Sequence, residues 1–214
     1  TRAASSSKGA MPSCWRVAAC MRGYTRHSSH PPPENPTASR ELGGNHLIHA
    51  ARRNIDMTVD LYNNNIYGMT GGQYSPLTPE HSKAATAPYG TIERSFDIAE
   101  LVKAAGATFV ARATTFHAPM LADLIAQGIE HKGFSLIEAI TACPISFGRQ
   151  NKMGGPADMI KWQRDHALPL AAFEKLSEEQ KAGKFPIGVL YKAEGVKEYT
   201  EAYDELIAAA QGGK

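Results

Sequence analysis

Three consecutive asparagines, Asn63, Asn64 and Asn65, run into a loop that carries Gly68, Gly71 and Gly72. Carboxamide oxygens are neutral oxygen ligands, and asparagine tolerates backbone angles that most residues avoid. Glycines lacking a Cβ let the backbone approach a bulky anion closely, as phosphate-cradling loops do. Together these residue types point to a Mg²⁺-diphosphate site, because Mg²⁺ takes a few oxygen ligands and completes its shell with phosphate and water. An Asn/Gly-rich turn between ordinary elements is the other reading of the same residues. Cys143, in TACPISFGRQNK, is a second candidate. It is either a thiolate ligand or a small buried apolar residue, the commoner use of a lone cysteine. His46 and His49 could ligate a metal, but lone histidines more often serve as hydrogen-bonded core or wall residues.

The elements that must position these residues follow from hydrophobic period. Met57, Val59 and Leu61 alternate with Thr58 and Tyr62, which predicts a strand running into the asparagines. Asp60 departs from that pattern, since a carboxylate in a parallel strand needs a partner or an edge position. Ahead of the strand, residues 43–54 predict a helix entered through Gly44 and Asn45, with Leu47, Ile48, Ala50 and Ala51 inward and Arg52 and Arg53 outward. After it, residues 76–95 predict a long loop near the site. A helix over 96–105 closed by Gly106, a strand over 108–113, a helix over 117–132 with Pro119 in its first turn, and a strand over 134–141 complete the central pattern. Strands alternating with helices predict a parallel sheet with right-handed crossovers, whose strand ends share one edge where ligands bind. The Asn loop, the 114–117 turn and the 143–149 loop all fall on that edge. Beyond Asn151 the pattern predicts a helix over 156–165, a charged solvated segment over 174–184, a strand over 185–191 and a last helix over 197–210. Trp162 and Phe185 serve core packing or a partner face.

A chain of 214 residues, 43% hydrophobic and 21% charged, can bury one α/β core. A formal charge of +2, with no Lys/Arg stripe interleaved with aromatics, excludes a case for nucleic acid. Three cysteines, Cys14, Cys20 and Cys143, are too few and scattered for a disulfide scaffold, which predicts a reducing, cytoplasmic setting. No apolar run is long enough to span a membrane. Residues 1–41 are rich in Ser, Arg and Pro without sustained period, and read as a disordered segment with some features of a transit peptide.

GGNHLIHAARRN (43–54) followed by NNNIYGMTGGQYSPLTP (63–79) resembles the β subunit of the 2-oxoacid:ferredoxin oxidoreductases, the 2-oxoglutarate branch above all, over about residues 42–205. The resemblance implies an α/β thiamine-diphosphate-binding domain of the C-terminal type over 42–145, its parallel sheet flanked by helices, and a small C-terminal extension over 146–214. It implies that Asn64 offers its side-chain oxygen and Ile66 its backbone carbonyl to Mg²⁺. Tyr67, Gly68, Met69 and Thr70 would wrap the diphosphate, and Gly43, Gly44, Asn45 and His46 would face it from a helix start. Cys143 takes the place of the fourth ligand of a 4Fe-4S cluster.

The implied activity is oxidative decarboxylation of a 2-oxo acid to acyl-coenzyme A, with ferredoxin as electron acceptor and an α subunit as partner. The glutamate of cofactor activation comes in this family from the other subunit, so no residue is nominated as catalytic acid or base. The family's Cys-Pro-Gly-Cys start, its third cluster cysteine and its Gly-Asp-Gly-Asp segment have no counterpart here, and Cys14 and Cys20 lack the Cys-x-x-Cys spacing. Resemblance begins abruptly at Leu42, as a truncation or a misread frame would produce. A thiamine-diphosphate decarboxylase and a non-catalytic remnant of the subunit are the alternative readings.

Overall fold

The computed structural model describes residues 44–212. The segment 1–41, Gly43 and the cysteines Cys14 and Cys20 lie outside the described residues. A helix α1 (Gly44–Arg52) leads into strand β1 (Met57–Asn63), and a long irregular stretch carries the chain on to α2 (Ile98–Ala105) and β2 (Phe109–Thr114). A 3₁₀ turn at Thr115–His117 opens α3 (Ala118–Glu130), which returns to β3 (Phe134–Ile140), and a π-helical turn, Pro144–Gly148, follows. The remainder is α4 (Pro156–His166), a short strand β4 (Ala167–Pro169), single-turn helices α5 (Leu170–Phe173) and α6 (Glu178–Lys181), β5 (Phe185–Lys192) and α7 (Tyr199–Gly212).

The sheet runs β1-β3-β2-β5-β4. β1, β3 and β2 are mutually parallel, as their alternation with helices requires. β5 departs from the wholly parallel expectation: it pairs antiparallel with β2 and parallel with β4. It reaches the sheet from the extension, not through a crossover from β3, and it covers the β2 edge that would otherwise expose a row of unpaired backbone groups. The 143–149 segment, expected as a loop, is a π turn.

Helices flank the sheet on both faces. Val59, Leu61, Val110, Phe134 and Leu136 form one core with Ala51, Ile98, Ala99 and Val102 of α1 and α2. Phe109, Ala111, Ala113 and Ile137 form the other with Leu124 of α3. β2 is buried along its whole length and β3 over all but its last residue, whereas β1 alternates. Asp60 is half-buried on β1, an edge strand of the sheet.

Local chemistry sets the boundaries. Asp97 caps α2, its Oδ1 accepting from Ala99 N at 3.1 Å and Glu100 N at 3.3 Å, and Gly106 ends the helix at φ 114°. Asn54 follows α1 in the left-handed region, φ 49°. Its buried carboxamide accepts from Phe134 N and Thr108 Oγ1, both at 2.8 Å, and donates to Lys197 O at 3.0 Å. One side chain thereby ties α1, β2, β3 and the approach to α7. Gly133, at φ 120°, permits this, since a Cβ there would collide with the same carboxamide. Trp162 and Phe185 meet each other, centroids 5.9 Å apart, with His166 stacked on the tryptophan at 4.5 Å. Among the described residues no helix is long and apolar enough to cross a membrane.

Candidate functional site

The three parallel strands end flush. Asn63 of β1 and Thr114 of β2 both stand opposite Ile140 of β3, and Thr141 N donates to Asn63 O at 2.8 Å, so the segments that follow leave the sheet from one rung. These segments are the Asn loop, the Thr115–His117 turn and the Cys143 turn, which the sequence places on one edge. α1 joins β1 through a short connection and must run back along it. Its start, with Gly44, Asn45 and His46, therefore belongs to the same edge by topology. Asn45 and His46 are exposed there, and the Asn45 carboxamide accepts from His46 N at 2.9 Å.

The Asn loop is built from side chains bonding their own backbone. Asn63 Oδ1 accepts from Asn65 N at 3.0 Å, and Asn64 Oδ1 accepts from Ile66 N at 3.2 Å. Asn65 occupies the left-handed region, φ 63°, which asparagine adopts more readily than other non-glycine residues. Thr78 fixes it from outside, its hydroxyl donating to Asn65 O at 2.6 Å. Tyr67 and Gln73 then close a small loop, Tyr67 N donating to Gln73 O at 2.9 Å and Gly72 N to Tyr67 O at 3.0 Å. Met69 and Thr70 stand exposed at its tip, with Thr70 bonded to Gln73.

Ile66 points the opposite way. Only 4% exposed, it forms a third apolar cluster with Phe147 of the π turn, Met159 of α4 and Ala84, against which Cys143 packs half-buried. A Cβ at Gly68 would lie 3.3 Å from Cys143 Sγ, so the Asn loop and the cysteine turn lie against each other. The long loop joins them further on. Ala85 N donates to Gly72 O at 2.7 Å, and Asn151 bonds both the N–H and the C=O of Lys83, at 2.7 and 2.9 Å. At the β2 end, Thr114 Oγ1 and His117 Nδ1 are 2.9 Å apart, and the buried Gln163 accepts from Thr115 Oγ1 and Phe116 N, both at 3.0 Å.

A buried polar network beneath the Asn loop was not singled out from the sequence. Arg112 and Glu138, opposite each other on β2 and β3, pair at 2.6 Å between Nε and Oε2. Arg112 also donates to Asp97 at 2.8 Å, and Asn63 Nδ2 donates to Glu138 Oε1 at 2.8 Å. Burial works against the Arg112 charge, but Glu138 and Asp97 outweigh it and hold its pKa above the ordinary guanidinium value. The signal was present, one arginine in FVARAT and one glutamate in FSLIEAI, because opposite charges in buried parallel strands must meet each other.

Among the described residues no group of three or more His, Cys, Asp or Glu is placed to hold a metal. His46 and His49 are exposed helix residues. What the edge offers is a neutral oxygen and amide lining over a rigid base, suited to an anion that brings its own cation.

Residues 41–139 match the family described as thiamine pyrophosphate enzyme, C-terminal TPP binding domain. The fold and that match define a thiamine-diphosphate-enzyme domain of the C-terminal type. The 2-oxoglutarate synthase subunit KorB of Methanothermobacter thermautotrophicus is 53% identical over 147 residues, 69% of this chain and 51% of that protein. Its counterpart in Methanocaldococcus jannaschii is 49% identical over 166 residues, 78% of this chain and 61% of that one. Among solved structures, 2-oxoglutarate:ferredoxin oxidoreductase from Magnetococcus marinus, with 2-oxoglutarate, coenzyme A and succinyl-CoA bound, is similar at TM-score 0.66 and 31% identity, over 81% of this chain and 58% of that chain. Over its matched part the chain is similar to the KorB-type subunits of the 2-oxoacid:ferredoxin oxidoreductases. It spans between 51% and 61% of the length of these relatives.

Proposed function

We propose that this chain is the thiamine-diphosphate-binding subunit of an oxidoreductase that decarboxylates a 2-oxo acid, 2-oxoglutarate in preference, to acyl-coenzyme A with ferredoxin as acceptor. The observation that carries the reading is the 63–72 loop, which leaves β1 at the shared strand edge with two Asx-type turns and folds onto the Cys143 turn. Names of relatives support the substrate class.

The residues fit a Mg²⁺-diphosphate in kind. Asn64 Oδ1 retains a lone pair after accepting from Ile66 N, and the carboxamide and the Ile66 carbonyl would hold the cation. Tyr67 to Thr70, with the start of α1, would surround the diphosphate, a helix start being favourable to anions. Bound thiamine diphosphate supplies the electron sink that decarboxylation requires. This chain's residues orient it, and the buried base under the loop keeps that orientation fixed.

A four-thiolate cluster does not fit, because the chain has three cysteines and Cys143 alone stands at the edge among the described residues. Met69 at 98% exposure, Tyr89 at 98% and Ile92 at 83%, all in the loop that follows β1, support a second subunit that covers the edge and completes the site.

Calorimetric titration with thiamine diphosphate plus Mg²⁺ tests the reading. Weak, Mg²⁺-dependent binding abolished by Asn64→Ala is the expected result, since no carboxylate ligand is provided by the loop. Binding that survives Asn64→Ala would remove the loop from the site.

A further inference from the structure

We propose that Glu138 and Asn63 are positioning residues: the buried Glu138 carboxylate orients the Asn63 carboxamide, which in turn locks Asn65 and thereby presents Asn64 and Ile66 to the ligand. The last clause rests on the function proposed above, whereas the locking of the loop is a property of the chain itself.

An ionised carboxylate only accepts. Glu138 is 3% exposed and uses Oε2 for Arg112 Nε at 2.6 Å, leaving Oε1 for whatever approaches from β1. Asn63 can approach only with its amide nitrogen, and does so at 2.8 Å. Its oxygen must then face the other way, where it accepts from Asn65 N at 3.0 Å. The charge on Glu138 therefore decides which way Asn63 is turned, and so whether Asn65 has an acceptor. That contact holds Asn65 at φ 63°, and the following Asn64 to Ile66 turn is built on the same reversal.

The network is continuous from α2 to the Asn loop. Arg112 donates both to Asp97, the cap of α2, at 2.8 Å and to Glu138 at 2.6 Å, Glu138 accepts in turn from Asn63, and the series ends where Asn63 accepts from the backbone of the Asn loop. Arg112, Glu138 and Asn63 share one face of the sheet on its last rungs, so the series runs across β2, β3 and β1 at the ligand edge. A buried ion pair is weak evidence for stability, because its desolvation cost rivals its attraction. Its termination in a loop rather than in another strand is what a purely structural pair would not need.

The test is a swap. Glu138→Gln presents Arg112 and Asn63 with one acceptor where two were needed. Asn63→Asp places two carboxylates in contact. In Asn63→Asp/Glu138→Gln, the amide nitrogen at position 138 donates to the carboxylate at position 63, the amide oxygen at 138 accepts from Arg112, and the second oxygen at 63 accepts from Asn65 N. Amide hydrogen exchange of the ligand-free chain is read over residues 64–68 and, as an internal control, over 118–130.

Both single variants should accelerate exchange over 64–68 by about tenfold or more with 118–130 unchanged, and the double variant should restore protection. Cofactor titration of the same proteins should show affinity lost in the singles and regained in the double. Unchanged exchange over 64–68 in Glu138→Gln, or no recovery in the double variant, overturns the proposal. Should Glu138→Gln not fold, Asn63→Ala, which deletes the half-buried contact alone, decides the same point by the same readout. Wild-type chain that binds no cofactor overturns the functional reading, while exchange still decides whether Glu138 and Asn63 lock the loop.

Discussion

Gly68 and Cys143 touch: a Cβ on the glycine would stand 3.3 Å from Sγ, with Ser146 Oγ at 3.8 Å. The loop that follows β1 and the turn that follows β3 thus meet at a glycine because a side chain would have to push the sulfur aside. Contact at 3.3 Å requires a shift of a few tenths of an ångström, which a surface loop tolerates in stability but a binding loop does not in geometry.

Gly68→Ala should therefore weaken Mg²⁺-thiamine diphosphate binding while changing unfolding free energy by less than about 1 kcal/mol. Adding Cys143→Ala, which removes Sγ, should recover the lost affinity. Calorimetry on the four proteins of this cycle measures the coupling, and strict additivity would show that the two positions do not communicate.

The Arg112 and Glu138 side chains are 8% and 4% exposed, so each is a buried charge that depends on the other. Glu138→Leu alone should destabilise the fold by about 3–5 kcal/mol, as removal of one partner of a buried pair does. Arg112→Met/Glu138→Leu should return most of that stability in urea unfolding, yet leave residues 64–68 unprotected, because Asn63 would still lack its acceptor. Recovery of both together would mean that the ion pair serves stability only.

His131 gives the fold a pH dependence whose sign is fixed. Burial, with Lys192 nearby, holds its pKa below the ordinary imidazole value, and Asp56 opposes in part. The unfolded chain then binds the proton more readily, so the contribution to stability is present above about pH 6.5 and declines as pH falls through the lower folded value. Urea midpoints measured from about pH 7 to 5 should fall, and His131→Gln, which can keep a donor to Thr108 in place of the 2.8 Å contact, should flatten part of that slope. An identical slope in the variant would assign the pH dependence to other groups.

What was readable in the sequence was whatever short-range pattern encodes. Alternation of helix and strand gave three parallel strands and their shared edge, and the composition of NNNIYGMTGG gave the loop, since asparagine and glycine are chosen there for local backbone reasons. Asp60 was legible as an exception, needing a partner or an edge position, because a carboxylate on a buried strand has so few solutions. Arg112 and Glu138, and the use of Asn63 as their partner, were overlooked because the three lie far apart in the chain, one on each of three strands. Arg112 and Glu138 read as ordinary strand members until register is known. Asn54 is similar: its place after a helix was visible, but not its bonds to Thr108, Phe134 and Lys197. The π turn and the antiparallel β5 carry no local signature, being set by tertiary packing on Phe147 and along the free edge of β2.

Cluster assembly tests what Cys143 can do alone. Cys143 sits at the start of the π turn, half-buried, with its sulfur against Gly68, a place from which a thiolate could leave the edge toward a metal. Four thiolates are required for a cysteine-ligated 4Fe-4S cluster, and this chain has three cysteines in total. Anaerobic reconstitution with iron and sulfide should consequently give no stoichiometric four-iron absorbance, and Cys143→Ser should behave as the wild type does. A stable cluster lost in Cys143→Ser would overturn this, and the mass of the loaded species would then tell whether a second copy of the chain or a non-cysteine ligand supplied what one chain lacks.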